Sequence, residues 1–382
     1  MTAAPGLASY QASLDELADA SRLRSLAPRQ GLDFTSNDYL GLASSPRLAG
    51  AVTAAIAGGT PVGAGGSRLL RGNAPEHEAL EARAAAFFRA ERALFFGSGY
   101  AANYALLSTL PQRGDLLILD ALVHASAHEG ARAGRAQVTQ AAHNDAGAFD
   151  EAMCTWREGG GRGRVWLAVE SLYSMDGDRA PLDALVAVAE RHDAMLLIDE
   201  AHATGIYGPD GRGLAASLEG RDNVIALHTC GKALGGAGAL ISGPRVLCDF
   251  LVNRCRPFIY STAPSPLMAV AALEALEILR DEPERRQRLA DLVSAAARAA
   301  LASGAATPTG SQILPVIVGD DRAALALAAG LQRRGFDVRA IRPPTVPMGT
   351  ARLRISITLN VDAQAVAALF AALAAERDAR AT

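Results

Sequence analysis

The sequence predicts an α/β fold with two parts: a large domain on a mainly parallel, seven-stranded sheet covered by helices on both faces, and a smaller C-terminal α/β domain. Two observations carry this. Short apolar runs alternate with longer helical stretches for about 150 residues, the pattern of successive strand and crossover-helix units. Polar and small residues gather directly behind those runs, at the carboxyl ends where parallel sheets hold ligands. The strands are expected at Ala93–Phe96, Leu116–Leu119, Gln137–Gln140, Val165–Val169, Met195–Ile198, Val224–Leu227 and Ala239–Ser242. The division expected is an N-terminal segment 1–45, a large domain 46–265, and linking helices with the small domain over 266–382.

Taken in order, residues 11–26 place Leu14, Leu17, Leu23 and Leu26 at helical spacing, with Arg22 and Arg24 near the end. A short strand from Asp33 runs into the turn residues Ser36-Asn37-Asp38. Gly63 to Ser67 form a small-residue loop that lacks the ending of a phosphate-binding P-loop, and a flexible connector is its plainer reading. Asn73 and Pro75 are expected to cap a helix over 76–90. Beyond the sheet, helices are expected over 264–279 and 283–301, strands at Ile313–Val318, Asp337–Ile341 and Arg352–Ile357, and helices over 322–333 and 362–376.

Composition narrows the function. A formal charge of -3 and the absence of any basic run with interleaved aromatics argue against a nucleic-acid surface. The four cysteines, Cys154, Cys230, Cys248 and Cys255, include no Cys-x-x-Cys pair and no metal-ligand spacing with histidine, so no metal is expected, and reduced thiols fit a cytoplasmic protein. Residues 1–17 lack a basic start and an apolar core, so neither a secretory leader nor a membrane anchor is expected.

The most informative residue is Lys232, because the 37 cationic side chains are otherwise all arginine. A surface charge can be either type, whereas forming an imine with a carbonyl requires an amine that can lose its proton. Lys232 follows the apolar run Val224–Leu227 in the small-residue segment Thr229-Cys230-Gly231-Lys232-Ala233-Leu234-Gly235, at a strand end.

Other groups gather at equivalent strand ends. Gly97-Ser98-Gly99-Tyr100 opens a helix whose first N–H groups suit a phosphate, although a tight turn would use the same residues. Asp199 ends the apolar run Leu196-Leu197-Ile198, where a carboxylate needs a cation such as a pyridinium nitrogen. His202 follows three residues later, as a donor to a ring oxygen or a plain loop histidine. His124 could stack on a flat ring or cap a helix, and Glu170 and Ser174 add polar groups to the same edge. Together, lysine, aspartate, helix start, Thr229 and histidines specify a pyridoxal-phosphate site.

The same segments, with Asp199-Glu200-Ala201-His202, Ser174-Met175-Asp176-Gly177-Asp178, His143-Asn144-Asp145 and Ser36-Asn37-Asp38-Tyr39-Leu40-Gly41, resemble the α-oxoamine synthases over about residues 13–375. These are fold-type I pyridoxal-phosphate enzymes that condense an amino acid with an acyl thioester and release carbon dioxide. The segments Ile341-Arg342-Pro343-Pro344-Thr345-Val346-Pro347 and Gly349-Thr350-Ala351-Arg352-Leu353-Arg354 are similar to the branch that joins L-alanine to a pimeloyl thioester. Ala203 and Cys230 depart from the usual pattern without removing a side chain the chemistry requires.

The resemblance implies roles. Lys232 would hold the cofactor and move the Cα proton, and Asp199 would keep the ring nitrogen protonated. Gly99, Tyr100 and Thr229 would lie at or near the phosphate, Ser174 and His202 at the ring oxygen, and His124 on the ring face near the thioester. Asn37, His124, Thr345 and Arg354 would bind substrate, with Arg354 clamping the amino-acid carboxylate, and Arg22 would meet the far carboxylate of the pimeloyl chain. It also implies a homodimer, with the Gly65-Gly66-Ser67 loop and Ser261-Thr262 serving the neighbouring subunit's cofactor. Members using glycine or serine, such as aminolevulinate synthase, 2-amino-3-ketobutyrate ligase and long-chain-base enzymes, keep the chemistry and change the substrates. A non-catalytic module on this fold is the alternative of a different class.

Overall fold

In the computed structural model, which describes residues 5–381, the chain divides into two compact units. The smaller unit takes the described residues through Ser36, Met175–Gly177 and the chain from Leu289 onward; the larger takes Asn37–Ser174 and Asp178–Arg288. This differs from a separate 1–45 segment and a break at 265. Strand β1 (Leu32–Asp33) pairs in parallel with a C-terminal strand, so the N-terminal stretch belongs with the smaller unit. The helix Pro266–Asp281 lies in the larger unit, and Glu284–Ala302 crosses the division.

The larger unit is built on seven strands: β2 (Arg92–Phe96), β3 (Leu116–Asp120), β4 (Gln137–Ala141), β5 (Val165–Glu170), β6 (Met195–Asp199), β7 (Val224–Thr229) and β8 (Ala239–Gly243). Their order is β2-β8-β7-β6-β5-β3-β4. Neighbours from β7 through β4 run parallel, whereas β8 is antiparallel to both β7 and β2. The expected mainly parallel sheet is therefore present.

Alternation of side chains explains why the strands read as unbroken apolar runs. Leu117, Leu119, Trp166, Ala168 and Leu197 join one buried cluster, with Leu106, Leu107 and Leu251 from helices. Their sequence neighbours Leu116, Ile118, Val165, Leu167, Leu196 and Ile198 join another, with Phe149, Met153 and Leu185. Both faces are covered, and each fully buried Leu or Ile contributes roughly 1.5–3 kcal/mol.

Several expected boundaries are corrected. The first α-helix is Ala8–Asp19, not 11–26, and none of its residues is buried. Ser21 adopts φ +57, which ends the helix before Leu23 and Leu26. The cap expected from Asn73 is made by His77, whose Nδ1 accepts the Ala74 N–H at 3.1 Å; Pro75 opens the helix Pro75–Phe87. Asn73 instead accepts from Arg68 and donates to Glu78.

In the smaller unit, β9 (Ile313–Gly319), β12 (Ala351–Ser356) and β11 (Ala340–Ile341) form an antiparallel sheet in the order β11-β12-β9. The single strand expected at Asp337–Ile341 splits, because β10 (Phe336–Asp337) pairs with β1 while β11 pairs with β12. The helices Asp321–Arg333 and Ala363–Ala381 complete the unit. No described helix is long and apolar enough to cross a membrane.

A stability prediction arises at Glu81. Its two carboxylate oxygens accept both terminal nitrogens of Arg68, at 2.7 and 2.9 Å, and one also accepts the Phe95 N–H at 2.8 Å. Both side chains are largely buried, at 8% and 13% exposure. Glu81→Ala leaves a guanidinium and a strand N–H without their acceptor and is expected to cost about 3 kcal/mol in urea unfolding. A change within about 0.5 kcal/mol, as at an ordinary surface site, would contradict this.

Candidate active site

Lys232 lies in the hairpin connection between β7 and β8, three residues past Thr229. The connection is pinned: Cys230 N–H donates to Gly238 O and Gly236 N–H to Cys230 O, both at 2.8 Å. Gly235 adopts φ +66, and a Cβ there would stand 2.4 Å from the Leu42 carbonyl carbon, so only glycine allows this close approach.

The Lys232 amine is 2.8 Å from His202 Nε2, and His202 Nδ1 is 2.7 Å from the Tyr39 hydroxyl. Tyr39 in turn donates to Asn37 Oδ1 at 2.9 Å. This polarity leaves the Tyr39 oxygen to accept from Nδ1–H, so Nε2 offers its lone pair to the amine. Asn37 and His202, both expected near substrate or cofactor, thus belong to one relay ending at Lys232. Tyr39, within the segment Ser36-Asn37-Asp38-Tyr39-Leu40-Gly41, is the link whose role only the folded structure reveals.

Asp199 and Glu170 end adjacent strands in register. Asp199 Oδ2 accepts from Asn103 Nδ2 at 2.6 Å, and Oδ1 accepts the Ala201 N–H at 2.9 Å. Asn103 has no signal along the chain that marks it; it is a buried amide among Ala102, Ala105, Leu106 and Leu107 of the helix Gly99–Thr109. Glu170 is fully enclosed, and burial, with the Asp199 charge beside it, raises its carboxyl well above the ordinary value. Its Oε2 accepts the Ser174 N–H at 3.2 Å, which fixes the expected ring-oxygen contact to the sheet edge.

His124 caps the helix Ala125–Ala133, its Nδ1 accepting the Ser126 N–H at 3.2 Å. Burial lowers its pKa, so the ring is neutral near pH 7. The Tyr100 ring meets it edge-on, with centroids 6.5 Å apart. Ser98 caps the helix Gly99–Thr109, and a Cβ at Gly99 would come within 3.4 Å of the Thr229 hydroxyl oxygen. The helix start and Thr229 therefore lie side by side, and the first turn's N–H groups have no partner within the helix. Amine, carboxylate, neutral imidazole and an anion-seeking helix start are the donor set that pyridoxal phosphate needs.

The remaining expected residues lie in the smaller unit. Arg22 Nε donates to Asp321 at 2.8 Å, Thr345 Oγ1 accepts from Arg24 at 3.0 Å, and the buried Arg354 donates to Ser356 Oγ at 2.7 Å.

The expectation that no cysteine lies at metal-ligand spacing holds only along the chain: folding brings donor atoms of Asp150, Cys154 and His192 within 4.8 Å of one another. Asp150 Oδ1 is already held by Arg191 and His192. Burial pushes the thiols of Cys230 and Cys248 up to about 12 and raises that of Cys255, while Cys154 is exposed. Ellman's reagent is expected to titrate one thiol rapidly in the native protein and all four after denaturation. Rapid release of two or more from folded protein would contradict the burial.

The sequence matches the family described as Aminotransferase class I and II over residues 29–373. It is 45% identical to the 8-amino-7-oxononanoate synthase of Anaeromyxobacter dehalogenans, over 90% of this chain and 86% of that protein. It is 43% identical to that of Methylobacterium radiotolerans, over 95% and 96%. Among solved structures, a serine palmitoyltransferase variant from S. paucimobilis with bound PLP and myriocin aligns with TM-score 0.87 at 27% identity, covering 98% of both chains. The 8-amino-7-oxononanoate synthase of Francisella tularensis aligns at 0.77 and 26%, covering 92% of this chain and 99% of that one. The cofactor is pyridoxal phosphate and the activity is acyl transfer. The chain belongs to the aminotransferase class I and II family, and within it to the 8-amino-7-oxononanoate synthases, which are α-oxoamine synthases.

Proposed function

We propose that the chain joins L-alanine to a pimeloyl thioester with release of carbon dioxide and the thiol carrier, in the cytoplasm and as a homodimer. The observation that carries this reading is the sole lysine of the chain, held at the end of β7 with its amine 2.8 Å from His202, on the strand-end edge that also bears Asp199. When bound, pyridoxal phosphate supplies an aldehyde and an electron-withdrawing ring.

The chain's residues supply the rest. Lys232 would hold the aldehyde and move the Cα proton of alanine; its amine lies 2.8 Å from His202 Nε2. Asp199, oriented by Asn103, would meet the ring nitrogen. Thr229, Gly99 and Tyr100 would hold the phosphate, and Ser174 and His202 the ring oxygen, His202 by carrying its proton on Nε2 once the Lys232 amine is engaged while the Tyr39 hydroxyl turns to donate to Nδ1. His124, neutral, would stack on the ring face and donate to the incoming thioester. Arg354 clamps the alanine carboxylate bidentately, with Asn37 and Thr345 beside the substrates. Arg22 serves the far carboxylate of the acyl chain by exchanging its present partner Asp321.

For the dimer, the support is that the two loops expected to serve a neighbour's site adjoin, with Ala263 N–H donating to Gly66 O at 2.8 Å. Sedimentation should give twice the chain mass; a monomer active at assay concentration would remove this part. The substrate test is turnover of pimeloyl-CoA with alanine, glycine and serine separately. Alanine should be preferred, and turnover with glycine alone would overturn the reading. The likeness to serine palmitoyltransferase favours one rival, serine with a long-chain acyl thioester, and it is run as a further arm.

A further inference from the structure

The motif His143-Asn144-Asp145 has no role in the reaction described above, yet His143 occupies an unusual position. Its Nδ1 is 2.8 Å from Asp120 Oδ1 and its Nε2 is 2.8 Å from Asp178 Oδ2. A neutral imidazole has one N–H and could satisfy one of these carboxylates while turning a lone pair on the other. Bonds on both sides require the imidazolium. Burial, the largest influence, would lower the His143 pKa, but the hydrogen bonds to Asp120 and Asp178 leave it raised.

What the two carboxylates hold matters more. Asp120 is fully buried at the end of β3 and accepts the Leu122 N–H at 2.8 Å, which sets the turn leading to His124. Asp178 accepts the Tyr173 N–H on its backbone oxygen at 2.9 Å, closing the turn that carries Ser174. Asn144, in the left-handed region at φ +56, ties the same pair: its N–H donates to Asp120 and its side chain to Asp178, at 2.8 and 2.7 Å. The titratable groups facing His143 are these two aspartates and Tyr173, whose ring it meets edge-on at 4.4 Å.

We infer that His143 is a positioning residue, a cationic strut that fixes the separation of the turns presenting His124 and Ser174 to the cofactor ring. The inference rests on the reading of the Lys232 site as the pyridoxal-phosphate site.

Because the strut's contribution needs the proton, it is complete at low pH and is lost as pH rises through the raised pKa of His143. The test compares pyridoxal-phosphate dissociation constants of the purified wild type and His143→Gln between pH 6.5 and 9. The ratio cancels the cofactor's own titration. At pH 6.5 the variant should bind about tenfold or more weakly, the cost of charge-assisted bonds, and the ratio should fall toward one as pH rises. A ratio of one throughout, or a loss independent of pH, overturns the strut.

Should His143→Gln fail to fold, Asp178→Asn replaces it, with the same pH-dependent loss expected and the same outcomes decisive. In the wild type, protonated-imidazole N–H signals from 15N-labelled histidine, assigned by their loss in the variant used (or their shift in Asp178→Asn), should show two hydrogen-bonded protons on His143 at pH 7. One proton there also overturns the proposal. Failure of the wild type to bind pyridoxal phosphate, or binding unaffected by Lys232→Ala, would instead count against the reading of the site.

Discussion

Lys232→Arg is expected to abolish turnover, with a loss of about a thousandfold or more in kcat, while pyridoxal phosphate still enters the pocket. Arginine preserves the positive charge and roughly the length, so a purely electrostatic role would survive the change. The guanidinium stays protonated and cannot attack an aldehyde or carry a proton between carbon and base. The phosphate cradle at Gly99 and Thr229 and the carboxylate of Asp199 are untouched. Affinity for the cofactor should therefore weaken without vanishing. Borohydride treatment separates the cases: wild-type protein should retain the reduced cofactor's mass on the peptide containing Lys232, and the variant should retain none. No other ε-amine exists in the chain to confuse the result. A variant that condenses substrates at the parental rate would end the account.

Asp199→Ala is expected to lower kcat by about a hundredfold to a thousandfold, the range for removing one preorganised group that stabilises developing charge. It also leaves the Asn103 amide, now bonded at 2.6 Å, facing an apolar side chain in a buried position. A donor stranded in this way costs roughly 1–3 kcal/mol. Asp199→Asn narrows the question, because it keeps the volume and one acceptor, for Asn103, while removing the charge that would meet a protonated ring; its NH2 then faces the Ala201 N–H, a partly buried backbone donor that loses its acceptor. If charge is what matters, both variants should lose similar activity, while the alanine variant, which removes both acceptors, should lose more stability than the asparagine variant, which removes one. Full activity in the Asp199→Asn enzyme would refute a role for the charge.

The sequence exposes the sheet because its strands are buried on both faces, so Leu116–Leu119 or Leu196–Ile198 cannot be mistaken for solvated structure. It exposes the site because carboxyl ends of parallel strands are identifiable before folding is known, and because one lysine among arginines needs no geometry to notice. It does not expose partner choice. Phe336 and Ile341 have similar strand propensity, but they join different sheets because β1 and β12 compete for the segment. Leu23 and Leu26 keep helical spacing beyond a Ser21 that has already left the helix. Asn103 finds Asp199 from 96 positions away, and His143 finds Asp178 from 35 away, so local pattern offers no signal for either bond.

The pinned hairpin around Lys232 limits what can move during a catalytic cycle. With Cys230 and Gly238 laced to each other and Gly235 seated against Leu42, the main chain has no slack to travel. Whatever excursion the amine makes between letting go of one atom and reaching the next must come from torsions of its own four-carbon stem. Structures captured before and after substrate addition should therefore superpose through the backbone of residues 229–238, with the lysine rotamer as the only displaced part of that segment.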